Sequence, residues 1–384
     1  MLGVALAAQT GMSVIDQGLP TLTGFIKADL GLSAATAGLA VSGMAFGRIA
    51  GSYVAGVAAD RLGERRVLAF GVLTAAALVA TATTVPTTAF FVLLPLAGMA
   101  GAASTPAGGR LVLLAFPRER HGLALGIRQT GIPAGGLIAA ALLPWIANQG
   151  SWRWALAAAA GIAAVAVIPL LLLPADPTRA PAPPRGDRPR LLRDRNIVLL
   201  AVWSCLVVSG QYALLAFLAL DFHQRMGLSL ASGSLLVAVA NASGIAGRIA
   251  WGAVSDRALS RGRKPLLVVL TGACLTSALI LFAVPDRAPT AVLVVAAVAA
   301  GLSLIGYQGL WVTMVAEAAG PRRVGAATGF AITFVTVSIA LSPPLYGLVA
   351  DLAGTYRAIW AALAVVQAVA LVPALLVRET GAAA

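Results

Sequence analysis

The chain has 384 residues, of which 59% are hydrophobic and only 11% are charged, and its mean hydropathy is +0.91. Soluble domains carry about one quarter charged residues, so this composition excludes a soluble globular protein and makes lipid the solvent for much of the surface. The net charge of +13 would suit a nucleic-acid binder. The positions of the basic residues, described below, fit a membrane protein instead, and we expect no nucleic-acid partner.

Twelve apolar stretches of about 20 residues or more, without period-two alternation, predict transmembrane helices rather than barrel strands. Taken in chain order, they cover residues 2–25, 34–57, 67–86, 89–115, 122–148, 152–174, 196–220, 230–255, 265–285, 289–316, 324–350 and 356–377. We therefore expect an all-α integral membrane protein with two six-helix bundles, 1–174 and 196–384. The stretch 175–195 between them is rich in Pro and Arg and has no apolar periodicity, which indicates a linker.

The loops differ in their basic content according to the side of the membrane on which they fall. Eighteen Lys and Arg residues lie on one side, five on the other and four within spans. The positive-inside rule places the basic side in the cytoplasm, together with both termini and the linker. The high Ala, Gly and Arg content is typical of a GC-rich bacterial genome, so we expect the inner membrane of a bacterium.

Three short segments recur at nearly constant spacing and indicate that the two halves are copies. Residues 56–61 recur at 252–257, residues 120–122 at 323–325, and residues 150–153 at 354–357. Each pair falls at the same place in its half. Two facing six-helix bundles related by an axis along the membrane normal are a known transporter architecture.

The segment from Gly56 to Arg66, between the second and third spans, resembles the signature loop of the major facilitator superfamily, and a degenerate copy follows the eighth span. The resemblance covers the whole chain and implies secondary transport by alternating access, with the substrate site between the halves near the midplane. It implies a cytoplasmic gate formed by Gly56, Asp60, Arg61, Gly63, Arg65 and Arg66, and by Gly252, Asp256, Arg257 and Arg263. The alternative is that these charges only mark topology.

Two departures from related transporters bear on the substrate. Members of the superfamily often carry an arginine a few residues before a Gly-x-Gly in the fourth span. Here the residues just before 98–101 include no arginine. Proton-coupled drug antiporters carry a Gly-Pro pair in the fifth span, and residues 131–136 contain none. Both absences count against drug export.

Arg48 and Arg248 lie within the second and eighth spans, where a charge costs several kcal/mol unless it is paired or wet. A guanidinium can hold a planar anion through two parallel bonds, and one arginine from each half would let a bound anion draw the halves together. The stretch 241–257, which includes Asn241, resembles the eighth helix of oxalate/formate antiporters and monocarboxylate porters, where an arginine contacts the substrate carboxylate. The alternative is a structural brace, in which each arginine pairs with an acid or with helix carbonyls.

Other polar residues in the spans are weaker candidates. Arg128 and Gln129 could line the cavity, or Arg128 could snorkel towards the headgroups. Asp16 is the candidate proton carrier, and Asp221 is a second acid near the membrane; each could instead be a solvated interfacial carboxylate. Gln211, Tyr212, Tyr307 and Gln308 could contact substrate or serve only in helix packing.

The remaining motifs argue against catalysis. The chain has only two His residues, and both of its Cys residues lie inside spans, so no metal or haem spacing exists. No phosphate-binding loop is found that would support ATP-driven pumping. We expect no enzyme activity, no cofactor and a monomer that moves a small organic or inorganic anion by proton symport or anion exchange. The alternative is a proton-coupled efflux antiporter for drugs or other amphiphiles.

Overall fold

A computed structural model describes residues 2–104, 111, 127–172, 193–257, 262–319 and 324–378. Twelve helices and no strands occur in these ranges. The helices are α1 (Leu2–Leu30), α2 (Ala34–Leu62), α3 (Glu64–Ala82), α4 (Thr87–Gly101), α5 (Gly131–Gln149), α6 (Trp152–Leu171), α7 (Arg195–Met226), α8 (Leu230–Arg257), α9 (Lys264–Ala283), α10 (Thr290–Ala319), α11 (Val324–Ala353) and α12 (Arg357–Leu376).

Ten of the described helices are long and apolar enough to cross a membrane, by length and composition. The other two, α1 and α2, have 29 residues each, which makes each about 43 Å long at 1.5 Å per residue. Their length is sufficient, but polar side chains lower their hydropathy. These two helices carry Asp16 and Arg48, so the two least apolar helices hold two of the predicted site residues.

The chain divides into two compact units, Met1–Pro184 and Arg185–Ala384. Most of the expected linker, 175–192, lies outside the described residues. Within the first unit, α1 packs on α5 and α6, α2 packs on α4, and α3 packs on α4 and α6. Within the second unit, α7 packs on α11 and α12, α8 packs on α10, and α9 packs on α10 and α12. Each of these helix–helix contacts in the first unit has its counterpart six helices later in the second unit, as expected for a duplicated chain.

A turn of three residues, Gly-Leu-Ser, joins the first two helices of each unit in the same conformation. Gly31 has a φ of 62° and Gly227 a φ of 69°, a left-handed conformation that glycine adopts without strain. The serine that follows caps the next helix: Ser33 Oγ accepts from the Thr36 amide at 3.1 Å, and Ser229 Oγ from the Ser232 amide at 3.0 Å. This is a fourth repeated segment, which the sequence analysis missed.

Glycines bring α2 and α4 into backbone contact in the first unit. A Cβ added to Gly47 would overlap the carbonyl oxygen of Pro95 and lie 2.8 Å from the Met99 nitrogen. One added to Gly51 would lie 2.7 Å from the Met99 Cα, and one added to Gly98 would meet the backbone of α2. Small residues at such crossings are typical of helix packing in membranes, because they let the two backbones approach.

The same kind of crossing joins α8 and α10 in the second unit. A Cβ on Gly301 would overlap the Ala240 carbonyl oxygen, and one on Gly247 would lie 2.6 Å from the Leu302 carbonyl oxygen. Gly47 directly precedes Arg48, and Gly247 directly precedes Arg248. The crossings therefore fix where Arg48 and Arg248 leave their helices.

Candidate substrate site

Arg48 of α2 forms an ion pair with Asp16 of α1 inside the first unit. Arg48 Nη2 lies 2.5 Å from Asp16 Oδ1, and the two side chains are 19% and 14% exposed. Both charged side chains are therefore mostly buried, but each keeps part of its surface exposed. The pairing brings together the predicted anion-binding arginine and the predicted proton carrier, and it is the contact that the brace alternative requires.

A polar face runs along α1 and extends this pair towards α5. Gln9, Ser13 and Asp16 are spaced by four and three residues, which places them on one side of a helix. Arg128 Nη1 donates to Gln9 Oε1 at 2.5 Å and to the Ser104 carbonyl at 3.3 Å, and Gln9 Nε2 donates to Ser13 Oγ at 3.3 Å. Arg128 is 3% exposed, so it lies inside the unit rather than snorkelling at the lipid surface.

Gln9 and Ser13 were not among the residues predicted from sequence, although a signal for them existed. In a span, polar residues three and four apart indicate a helix face turned away from lipid, because such groups are costly in hydrocarbon. Gly131 and Gly135 of α5 pack against this face: a Cβ on Gly131 would lie 3.1 Å from Gln9 Cγ, and one on Gly135 would lie 2.6 Å from Ser13 Cβ. The polar face of α1 is thus held against α5.

Arg248 of α8 is buried in the second unit, with 8% of its surface exposed. Its Nε donates to the Ile305 carbonyl of α10 at 3.3 Å. Tyr212 of α7 and Tyr307 of α10 lie in the neighbourhood of the guanidinium. Two further residues predicted from sequence to contact substrate are therefore near Arg248.

A π-helical segment in α10, Gly301–Ile305, makes this arrangement possible. A π turn displaces the regular ladder of backbone bonds, and side chains of α8 bond to two carbonyls of the segment. Trp251 Nε1 donates to the Leu302 carbonyl at 2.9 Å, and Arg248 donates to the Ile305 carbonyl. Such π turns occur frequently at functional sites, and nothing in the sequence predicted this one.

The other predicted contact residues are placed less tightly. Asn241, 1% exposed, donates to the Val237 carbonyl of its own helix at 3.1 Å. Gln211 is 3% exposed, and its Oε1 has no hydrogen-bond partner within the described part of the chain. Gln129 and Gln308 are half-buried. An unsatisfied buried amide oxygen is uncommon in a folded protein, which keeps Gln211 a candidate for a ligand contact.

The signature loop of the first unit ties α3 to α6. Gly63 has a φ of 88° at the start of α3. Arg65 Nε donates to the Leu170 carbonyl at 2.8 Å and Arg65 Nη2 to the Leu171 carbonyl at 2.5 Å, so it caps the C-terminus of α6. Arg66 is exposed. The side chains of Asp60 and Arg61, and the surroundings of Gly56, lie outside the described part of the structure.

In the second unit the corresponding loop ties α9 to α10. Gly262 has a φ of 81°, and the next residue, Arg263, pairs with Glu317 near the end of α10. Gly252 has open space where a Cβ would lie. The side chains of Asp256 and Arg257 lie outside the described residues, so the described part of each loop contributes bonds within its own unit.

A second repeated cluster lies at the opposite end of the helices. Arg153 donates to the Thr83 carbonyl at 3.3 Å, and Arg357 donates to the Val284 carbonyl at 3.0 Å. Thr83 and Val284 are the C-terminal cap residues of α3 and α9, where a cation is favourable. The equivalent arginine therefore makes the equivalent contact in each unit.

Acidic residues complete this second cluster. Asp221 is fully buried, accepts from Trp360 Nε1 at 2.9 Å and pairs with Arg225 Nη1 at 2.9 Å, so it is not a solvated interfacial carboxylate. The hydrogen bond from Arg225, with the nearby charge of Arg357, lowers the pKa of exposed Asp286 between α9 and α10. The cluster joins α7, α9 and α12 and thereby braces the second unit.

The fold and the buried charges define a multi-pass helical membrane protein of two similar six-helix units. The sequence profile described as Major Facilitator Superfamily matches residues 2–334. The chain belongs to this superfamily. It is 32% identical over 349 residues to an uncharacterized MFS-type transporter of Mycobacterium tuberculosis, a match that covers 88% of this chain and 76% of the relative.

Two further comparisons bear on fold and relatives. Over 315 residues the chain is 26% identical to monocarboxylate transporter 13 of Rattus norvegicus, covering 80% of this chain and 72% of that protein. A bacterial homolog of the human lysosomal transporter Spinster, solved in an inward-facing and occupied conformation, shares the fold with a TM-score of 0.76 at 18% identity, covering 97% of this chain and 95% of that one. The predicted membrane fold is thus confirmed.

Membership of the superfamily establishes the coarse function. The chain is a membrane transporter that sits in a lipid bilayer and binds small molecules, and its relatives are transporters rather than enzymes. Among the described residues, no group of three His, Cys, Asp or Glu side chains is placed to hold a metal ion.

Proposed function

We propose that this transporter moves a small organic or inorganic anion, in symport with protons or in exchange for another anion, across the inner membrane of a bacterium. The observation that carries the proposal is the pair formed by Arg48 and Asp16 within the spans of the first unit. A carboxylate is already bound to this arginine. A substrate carboxylate or another planar anion has the same geometry and can take its place.

Proton coupling follows from the same pair. When Asp16 is protonated, its attraction for Arg48 falls, and the guanidinium is released for an incoming anion. Binding of a proton to Asp16 and binding of an anion to Arg48 therefore favour each other, and this coupling is reciprocal by thermodynamic linkage. Net charge within the spans stays balanced, because one proton and one anion enter together.

In the second unit the proposal assigns anion binding to Arg248, with Tyr212 and Tyr307 beside it. Tyrosine hydroxyls can donate to an anion that the guanidinium attracts. Gln211 is the other candidate in this unit, since its amide group is buried and its oxygen lacks a hydrogen-bond partner among the described residues. Arg128 is assigned a supporting role in the first unit through its bond to the polar face of α1, and Gln129 stays a candidate beside it.

A similarity to a named relative supports the choice of anion. The rat protein that covers 80% of this chain is named a monocarboxylate transporter. A monocarboxylate carries one planar anionic group on a small body, which suits one guanidinium and its neighbours.

We also propose that the signature-loop residues, including Asp60 and Asp256, hold the cytoplasmic gate shut in the outward-open state.

Binding is tested by the thermal stability of the purified protein against small carboxylates, nitrate, cyanate and lipophilic cations. A ligand at 100 times its dissociation constant stabilises by about 2.7 kcal/mol. We expect a small anion to give this shift, and Arg248→Gln to reduce it because a charge-assisted bond is lost. The matched control is Arg287→Gln, which removes one exposed arginine outside the candidate site and the proposed gate and should leave the shift unchanged.

Two outcomes contradict the proposal. If only lipophilic cations stabilise the protein, the efflux of amphiphiles takes its place. If small anions stabilise Arg248→Gln and the wild type equally, Arg248 is a structural brace and the role in anion binding proposed for the second unit is wrong.

A further inference from the structure

A cavity lies where α9 begins and α12 ends, and two basic side chains line it. Its position and its charge both suit the headgroup of a lipid. It is a shallow cavity that opens widely to the surface, with a volume of about 720 Å³, and it is lined by Lys264, Pro265, Val268, Val269 and Arg378. All five residues belong to the second unit. Lys264 is the first residue of α9, and Arg378 follows the last residue of α12 by two positions, so the cavity lies where two predicted spans end.

The backbone ends of α6 and α12 are each held by a side chain. In the first unit Arg65, at the start of α3, donates to the terminal carbonyls of α6 at Leu170 and Leu171. In the second unit Asn196 holds the residue just beyond α12: it donates to the Arg378 carbonyl at 2.8 Å and accepts from the Arg378 amide at 3.0 Å. The Arg378 side chain is therefore not needed for this cap, and it lines the cavity together with Lys264.

The lining of the cavity is charged at one end and apolar along its length, which is the distribution expected where a membrane helix reaches the lipid headgroups. Two cations stand at its outer end, and two valines continue it along α9. Val269 is 59% exposed, and the nearby end of α12 exposes Val372, Leu375 and Leu376 at 54%, 54% and 45%. Apolar side chains that face outward on a membrane helix face acyl chains. The cavity thus offers cations at headgroup depth and apolar surface at chain depth.

We propose that this cavity binds an anionic phospholipid of the leaflet on the basic side of the protein. The phosphate would lie between Lys264 and Arg378, and an acyl chain would run along Val268 and Val269. Positive residues beside the cytoplasmic leaflet attract anionic lipids with about 1 kcal/mol for each charge, or roughly fivefold in affinity. The proposal is independent of the transported substrate, because the cavity shares no residue with the candidate substrate site.

Native mass spectrometry of the purified protein, with phosphatidylglycerol or phosphatidylcholine added to the detergent, tests the proposal. We expect the wild type to retain phosphatidylglycerol preferentially. Arg378→Gln and Lys264→Gln should each weaken retention by about fivefold. The matched control is Arg66→Gln, which removes an exposed charge at the start of α3 and should leave retention unchanged.

A second variant tests shape separately from charge. Val269→Trp keeps both cations and fills part of the cavity, so it should also weaken retention of phosphatidylglycerol. The site is contradicted if both lipids are retained equally, or if Arg66→Gln weakens retention as much as Arg378→Gln. It is also contradicted if soluble glycerol phosphate displaces the lipid at equal concentration, since the cavity would then bind a free anion.

Discussion

Replacing Arg48 by glutamine should destabilise the protein and abolish anion binding, and the second change Asp16→Asn should restore only the stability. Breaking a buried ion pair costs about 3–5 kcal/mol, and breaking an exposed pair costs less than about 1 kcal/mol. The two side chains are 19% and 14% exposed, so we expect about 2 kcal/mol for Arg48→Gln. Asn and Gln form a neutral pair of similar shape, so the double variant should regain most of this stability.

The double variant separates the two interpretations of Arg48. If Arg48 binds the anion, the repaired protein is stable but shows no anion-dependent shift in thermal unfolding. If the double variant responds to anions as the wild type does, Arg48 is a brace and the proposed role is wrong. Arg287→Gln serves as the control for loss of one arginine, because Arg287 is exposed and an exposed substitution changes stability by less than about 0.5 kcal/mol.

Gly47→Ala should prevent the first unit from folding normally. The added methyl group would overlap the Pro95 carbonyl oxygen and crowd the Met99 nitrogen, and both are backbone atoms of α4. Overpacking in a core costs about 1–3 kcal/mol where side chains can shift, and we expect more here because a whole helix must move. The yield of monodisperse protein in detergent and its thermal unfolding temperature report the effect.

Gly161→Ala is the matched control for this substitution. Gly161 lies within α6, and no atom comes within 4 Å of a Cβ added there. The same chemical change should therefore be neutral or slightly stabilising, since alanine is the better helix former. Equal behaviour of the Gly47 and Gly161 variants would show that α2 and α4 do not meet as the structure describes.

The sequence predicted the twelve helices and the duplication because both depend on patterns along the chain. Apolar length predicts spans whatever their packing, and repeated segments such as 56–61 and 252–257 do not require a structure. Helix ends were predicted less well: α3 begins at Glu64 rather than 67 and α7 extends to Met226 rather than 220. Hydropathy detects the hydrocarbon core, and helices continue beyond it with charged residues.

The pairing within the candidate site could not be predicted in the same way. Arg48 and Asp16 are 32 residues apart, and their contact depends on how α1 and α2 are rotated about their axes. That rotation is set by packing, including the glycine crossing of α2 with α4. The π-helical segment of α10, which presents the Ile305 carbonyl to Arg248, likewise has no recognised sequence pattern. The repeated Gly-Leu-Ser segments at 31–33 and 227–229, in contrast, can be recognised from the sequence alone.

Transport itself is the most direct test of the central claim. The purified protein would be reconstituted in liposomes, and uptake of labelled lactate, oxalate and nitrate measured with and without an inward proton gradient. We predict that at least one of these anions accumulates, and that Arg48→Gln and Arg248→Gln each reduce uptake by about tenfold or more, since a charge-assisted bond is worth about 1.5–3 kcal/mol. Export of a lipophilic cation in exchange for protons, without movement of any anion, would contradict the account.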